Sequence, residues 1–128
     1  MDKCGRINSR EKNWEDTVMD FIKKYEYWLS SDSIDEKDKE ELRNLKDNQK
    51  EIEDRFFKDL SFGTGGMRGV RGIGTNRINK YMIRKATQGL ANYMLKYNEK
   101  EAKEKGVIIA HDSRIGSREY ALNTARVM

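Results

Sequence analysis

A glycine-rich run with a single arginine is the part of the sequence whose residue types point most directly to chemistry. Residues 62 to 69 read FGTGGMRG. Glycines let the backbone approach a ligand closely and turn several N–H groups toward one point, and an arginine adds a planar fork of donors that matches phosphate oxygens. Thr64 adds a hydroxyl beside Gly65, and Arg68 supplies the fork. The run therefore predicts a phosphate-binding loop.

Two common nucleotide fingerprints do not fit this loop. No Lys-Ser/Thr pair follows the glycines as a P-loop requires, and Arg68 stands where a dinucleotide-binding fold has its third glycine. ATP and NAD sites are therefore disfavoured. Local chemistry leaves one alternative open, in which the glycines only build tight turns and the arginine faces solvent.

A second polar cluster follows a short apolar run. Residues 107 to 110, VIIA, come directly after a glycine and predict a strand that is buried on both faces. Asp112 and Arg114 would then lie at the carboxyl end of that strand, the edge where open α/β sheets bind their ligands. A Ser-His-Asp catalytic set is not expected here, because adjacent residues at one strand end cannot converge on a single hydroxyl.

Charge is distributed unevenly along the chain. Residues 1–61 hold 13 Lys/Arg against 17 Asp/Glu, whereas residues 62–128 hold 13 against 5. Between residues 62 and 85 there are six basic residues and no acidic one. Such a field favours an anionic partner. Nucleic acid is not predicted, because no helix-turn-helix, RNP or zinc-finger pattern is present.

Composition excludes several other classes of function. Cys4 is the single cysteine, so an intramolecular disulfide and a cysteine metal cluster are excluded, and a reducing, cytoplasmic setting fits best. His111 is the single histidine, and the carboxylates of residues 1–61 have the spacing of solvated helix faces, so no metal site is predicted. No run is long and apolar enough to cross a membrane, so no membrane partner is predicted.

The first 61 residues, here called the leader, show helical periodicity. Apolar residues recur at three- and four-residue intervals and predict three helices, the first over about 12–30. A Ser33/Glu36 capping box is expected to open the second helix. The third helical stripe runs from Ile52 to Leu60 and stops at the glycines. The leader is predicted to pack on the rest of the chain, and no catalytic role is expected for it.

The second part of the chain predicts an α/β unit. Residues 62–79, here called the glycine segment, contain six of the ten glycines and predict a loop that leads into a short strand. Asn79 is expected to cap a helix over about 80–97, followed by a solvated connection at 96–105 and by the strand at 107–110. Ser117 is expected to cap a last helix. Because no stop signal precedes Met128, we expect that helix to be cut.

The motifs together resemble the α-D-phosphohexomutase family, the phosphoglucomutases and phosphomannomutases, and in particular its bacterial phosphoglucomutase-2-like branch. The residues that carry the resemblance are FGTGGMRG at 62–69, GIGTNRIN at 72–79, RKATQGLA at 84–91, IAHDSR at 109–114 and SREYA at 117–121. The resemblance implies the incomplete first domain of such a protein. In that domain a mixed sheet packs with helices, here residues 62–128, and the helical leader packs on it.

The same resemblance implies function. Members of the family are isomerases in which a phosphoserine exchanges its phosphoryl group with a hexose 1- or 6-phosphate of glucose or mannose, through a hexose 1,6-bisphosphate, with the help of Mg²⁺. Arg68 is then the arginine near the phosphoserine and the sugar bisphosphate, Thr64 and Gly65 shape its loop, and Arg114 lies close by. Where the family often has tyrosine, this chain has His111.

The chain departs from the family by omission. The serine loop, the Asp-rich magnesium loop, the sugar loop and the last phosphate loop of the family have no counterpart in these 128 residues. We therefore expect the chain alone to be inactive and, because its sheet is incomplete, to self-associate. The preferred sugar is not predictable. The alternative function is a non-catalytic anion-binding or interaction module that uses the basic half.

Overall fold

The structure is a computed structural model that describes residues 14–128, with side chains from residue 18 onward. Five helices and one two-stranded sheet are formed in this part of the chain. Their bounds are α1 Trp14–Ser30, α2 Glu36–Arg43, α3 Gln49–Phe56, β1 Phe62–Gly63, β2 Gly66–Met67, α4 Lys80–Lys105 and α5 Ser117–Val127. No helix among the described residues is long and apolar enough to cross a membrane.

The three predicted leader helices form, although α3 ends at Phe56 and not at Leu60, and they share one core with the start of α4. Their apolar stripes meet in an aromatic cluster in which Tyr25 and Trp28 each place an edge against Phe56, at centroid distances of 5.8 and 5.6 Å. Such edge-to-face pairs are favourable beyond the area that they bury. The buried apolar side chains of this core are Phe21, Tyr25, Trp28, Ile34, Leu42, Ile52, Phe56, Ile73 and Met82.

Two predicted helix starts are wrong in detail. The residue that precedes α2 is Asp35 rather than Ser33, and its side chain makes no capping hydrogen bond because it pairs with Lys80. Likewise Gly116, with φ of 84°, precedes α5, so Ser117 is the first helical residue and its hydroxyl accepts from the backbone of Asp112. At both helix starts the cap position is occupied by a residue other than the predicted one.

Asn79 begins α4 as predicted. Its Oδ1 accepts from the backbone N–H of Met82 at 2.9 Å. The helix has a kink at Asn98, where φ and ψ are non-helical, so the predicted end near 97 is confirmed as a break. The solvated connection predicted at 96–105 is wrong, because a second helical stretch forms there. Asn98 caps it, and Glu99 pairs with Lys103 one turn later at 2.5 Å.

The buried strand predicted at 107–110 is also wrong for the described chain. This segment has no regular structure, and the side chain of Ile108 is fully exposed. A strand of this kind needs neighbouring strands to receive its backbone hydrogen bonds, and the described residues offer it none. The α/β class is nevertheless confirmed, with the sheet limited to the antiparallel β1–β2 hairpin.

Candidate functional site

The β1–β2 hairpin carries three of the four predicted site residues. Gly63 pairs with Gly66 across the hairpin, so Thr64 and Gly65 form its two-residue turn. Arg68 follows β2 directly, and its guanidinium folds back over the turn. A Cβ added at Gly65 would lie only 3.3 Å from Arg68 Nη2, which shows how closely the side chain approaches the turn backbone.

Arg68 is exposed and has no carboxylate partner among the described residues. Most of its basic neighbours differ in this respect. Arg77, Lys80 and Lys85 each form an ion pair with a carboxylate of the leader. The strongly basic stretch in the sequence is therefore partly neutralised in the fold. Arg68 and Arg71 are both exposed without a carboxylate partner in the described chain, and of the two Arg71 packs against α5.

Arg114, the fourth predicted residue, does not join Arg68 in this structure. It lies in the turn before α5, where its Nε donates to Asp112 Oδ2 at 2.7 Å and its backbone N–H donates to Asp112 Oδ1 at 3.0 Å. The backbone hydrogen bond has the larger effect, and together the two bonds hold the pKa of the Asp112 carboxyl below its ordinary value. Asp112 and Arg114 thus engage each other, with His111 beside them in a shallow, open depression.

Arg71, and not Arg68, links the glycine segment to the region around Arg114. Its guanidinium lies 5.9 Å from the ring centre of Tyr120 in α5, and a Cβ at Gly116 would come within 3.1 Å of its Nη2. Its backbone also bridges to Ile78 at the end of the glycine segment. The sequence marked Arg71 only as part of the basic field, and no local pattern indicates its contact with Tyr120.

The remaining polar residues of the glycine segment hold the backbone in place. Asn79 is buried and donates from Nδ2 to the carbonyls of Gly72 and Gly74, both at 2.9 Å. Arg77 is buried as well, and its Nη2 contacts Asp54 Oδ2 at 2.5 Å. Arg77 is one of the six basic residues between residues 62 and 85 that were predicted to favour an anionic partner. Its burial against a carboxylate removes it from the candidate anion site.

An apolar groove of about 570 Å³ lies between the hairpin and α4. Its lining includes Phe62, Met67 and Leu90, with Asp59 and Lys85 at the rim. Burial raises the pKa of the Asp59 carboxyl, but the hydrogen bond from Lys85 and the charge of Lys24 outweigh burial and hold that pKa below its ordinary value. No group of three His, Cys, Asp or Glu side chains in residues 18–128 is placed to hold a metal ion.

Comparison with known proteins decides the family. The model of the phosphoglucomutase/phosphomannomutase alpha/beta/alpha domain I matches residues 59–128, which is more than half of the chain. The chain belongs to the phosphoglucomutase/phosphomannomutase family. The matched residues include every predicted site residue of this domain I, from Thr64 to Arg114.

Curated relatives of this family agree with the domain match. Phosphoglucomutases of Staphylococcus aureus strains USA300, NCTC 8325 / PS 47 and COL are each 35% identical to this chain over 89 residues. The match covers 68% of this chain but 15% of each relative's length. No solved structure matches the chain significantly.

Proposed function

We propose that the protein of which this domain I is a part is a sugar-phosphate mutase and that the hairpin of residues 62–69 is one of its phosphate-contacting loops. In this proposal a phosphoryl group moves between C1 and C6 of a hexose phosphate through a phosphoserine and a 1,6-bisphosphate. The observation that carries the proposal is the exposed Arg68 guanidinium, which folds over the Thr64-Gly65 turn without a carboxylate partner in the described chain.

The geometry supports a positioning role for this loop. Phosphoryl transfer requires charge neutralisation and orientation more than covalent help from the protein. A planar guanidinium beside glycine backbone offers several donors to one phosphate group. Arg114 is proposed as a second phosphate contact of the same site, which requires Arg114 to exchange its bond to Asp112 for the ligand.

The whole enzyme is proposed to act in the cytoplasm on glucose or mannose phosphates with Mg²⁺ as cofactor. When bound, Mg²⁺ would neutralise charge on the transferring phosphoryl group. The described residues offer no matching set of donors for it, so no step is assigned to the ion in this domain. We also propose the division into a helical leader, residues 1–61, and the start of domain I, residues 62–128.

The purified chain is expected to show no turnover, because the family's phosphoserine loop has no counterpart in these 128 residues and the described side chains form no metal-binding group. Incubation with glucose 1-phosphate and Mg²⁺, followed by an assay for glucose 6-phosphate, checks this expectation. Metal-dependent conversion above that of a buffer blank would refute it.

Binding of glucose 1,6-bisphosphate to the purified chain tests the site. Calorimetric titration should show that Arg68→Ala weakens binding about tenfold or more, since hydrogen bonds to charged groups contribute about 1.5–3 kcal/mol each. Lys85→Ala is the matched control, because Lys85 is basic but already engaged by Asp59. The Lys85 variant should bind as the wild type does.

The second candidate function, an anion-binding or interaction module, predicts the reverse order of these effects. In that case Arg84 and Lys85 substitutions would abolish binding while Arg68→Ala would not. The observation that keeps this candidate is the basic start of α4, which carries Lys80, Arg84 and Lys85 in its first two turns, although Lys80 and Lys85 are both paired with leader carboxylates.

We further propose that the chain self-associates. Several large apolar side chains are exposed in the described part, and they include Leu90, Tyr93, Tyr97, Val107, Ile108 and Leu122. Sedimentation velocity should show species larger than a monomer that increase with concentration. A monodisperse monomer with one cooperative unfolding transition would contradict this proposal.

A further inference from the structure

The glycine segment lies against the C-terminal end of α3, and the contact is made through backbone groups that a helix end leaves unsatisfied. The carbonyl of Asp54 accepts from Asn76 Nδ2 at 2.9 Å, and the carbonyl of Arg55 accepts from the Asn76 backbone N–H at 2.9 Å. Just past the helix, the carbonyl of Lys58 accepts from Thr75 Oγ1 at 2.8 Å. Asn76 and Arg77 thus cap the last turn of a leader helix, and Thr75 holds the residue that lies two positions past its end.

Arg77 adds charge to this contact. Its Nη2 contacts Asp54 Oδ2 at 2.5 Å, its Nη1 donates to the Asp54 carbonyl at 3.2 Å, and its side chain is only 8% exposed. Glu51 lies 3.7 Å from the same guanidinium. A buried guanidinium with a specific carboxylate fixes geometry, because leaving such a charge unpaired is costly.

Backbone spacing makes the contact close. Gly74 has φ of 136°, and a Cβ at this position would lie 2.7 Å from the Arg55 carbonyl oxygen. Arg55 itself donates from Nη1 to the Ile73 carbonyl at 3.2 Å. The side of the segment that faces α3 therefore has little freedom to shift.

The contact is transmitted to the hairpin at its base. The N–H of Leu60 donates to the Thr75 carbonyl at 2.8 Å, and the N–H of Ile78 donates to the Val70 carbonyl at 2.8 Å. A Cβ at Gly69 would lie 2.7 Å from a methyl group of Leu60. Residues on both sides of the hairpin are thus fixed to residues 75–78, which are fixed in turn to α3.

We propose that Asp54 and Arg77 are positioning residues for the Arg68 loop, so that the leader sets the placement of the phosphate contact. The inference rests on the proposed function of that loop. In this inference an ion pair between the leader and the glycine segment, which itself contacts no phosphate, controls the affinity of the hairpin for a phosphate group.

The test compares two substitutions that are matched in exposure and in type. Asp54→Asn removes the carboxylate that faces Arg77, and Asp35→Asn removes the carboxylate that faces Lys80. The two aspartate side chains are 61% and 64% exposed, and both join the leader to the basic half. Only Asp54 contacts the glycine segment, whereas Lys80 begins α4.

Two measurements are made on each purified variant, namely the affinity for glucose 1,6-bisphosphate and the backbone amide chemical shifts of residues 62–69. Asp54→Asn should weaken binding about threefold to tenfold and shift the hairpin amides, while Asp35→Asn should change neither. Equal effects of the two variants, or unchanged affinity and amide shifts in Asp54→Asn, would overturn the inference.

Failure of the proposed function would have a different signature. If the wild-type chain does not bind the bisphosphate, the proposed function fails, and the hairpin amide shifts alone then decide whether Asp54 positions the loop. If Asp54→Asn does not fold, Arg77→Lys replaces it, since it keeps the positive charge but removes the planar guanidinium that contacts both Oδ2 and the carbonyl of Asp54. The same hairpin shifts are expected in that variant, and their absence would overturn the inference.

Discussion

Gly74 is the residue at which the glycine segment approaches another backbone most closely. Its positive φ favours glycine, and the space where a Cβ would lie is occupied by the carbonyl and side chain of Arg55. Both the conformation and the contact therefore require glycine here. Gly89, in the middle of α4, has no atom within 4 Å of its Cβ position and adopts a helical conformation, so neither requirement applies to it.

Gly74→Ala should therefore destabilise the chain by about 1–3 kcal/mol, the usual range for backbone strain. Gly89→Ala should leave stability unchanged or raise it by about 0.5–1 kcal/mol, because alanine is the better helix former. Urea denaturation of the two variants beside the wild type measures both effects. Equal stability of the Gly74 variant and the wild type would contradict the close approach to α3.

At this scale the sequence predicted neighbours in the chain better than partners across the fold. The hairpin brings together Thr64, Gly65 and Arg68 through a two-residue turn, and the glycines of the run predict that turn. Arg77 was counted with the basic residues available to an anion, because its partner Asp54 lies 23 residues earlier and no local pattern indicates the pairing. Thr75 and Asn76 carry side chains that readily bond backbone groups, but nothing in the sequence indicates that these groups belong to α3.

Among the elements, the segment after Gly106 departs most from its prediction. Its apolar run is typical of a buried strand, yet its side chains are largely exposed and the described residues include no strand beside it. The helices were predictable because each buries one stripe against a neighbour that the chain itself supplies. A parallel strand depends instead on neighbouring strands from other parts of the sheet. Its apolar pattern therefore predicts a strand only where those neighbours are present.

This difference predicts unequal costs for two apolar substitutions. Ile108→Ser should change the free energy of unfolding by no more than about 0.5 kcal/mol, as surface substitutions usually do. Met82→Ala should cost about 2–5 kcal/mol, because Met82 is 5% exposed in the core between the leader and α4. Thermal and urea unfolding of both variants measures the contrast. A similar loss in the two variants would mean that Ile108 is buried after all.

Across the whole molecule, the acidic leader and the basic half complement each other. Asp35, Asp54 and Asp59 pair with Lys80, Arg77 and Lys85 respectively, so each of three leader carboxylates meets a basic residue of the second half. The asymmetry that sequence analysis attributed to an anionic partner is thus partly internal to the fold. Which of the basic residues remain available could not be predicted, because that depends on how the leader helices dock.

Stability should accordingly fall at low pH, and Asp59 contributes to the fall. Because its pKa is held below the ordinary value in the folded chain, its contribution is present above the unfolded pKa of about 3.9 and is lost as pH decreases through the folded pKa. Urea midpoints measured between pH 6 and pH 3 should therefore decrease less in Asp59→Asn than in the wild type. Asp32→Asn is the control, since Asp32 forms no ion pair in the described chain, and it should follow the wild type. A wild-type midpoint that rises toward pH 3 would contradict the account.

The central claim is that the hairpin of residues 62–69 binds a phosphate group through Arg68. Its most direct test is a backbone amide chemical-shift map of the purified chain during titration with glucose 1,6-bisphosphate. We expect the largest shifts at Thr64, Gly65 and Arg68, saturable with ligand and lost in Arg68→Ala. Shifts confined to α4 around Arg84 and Lys85, with the hairpin unchanged, would contradict the claim.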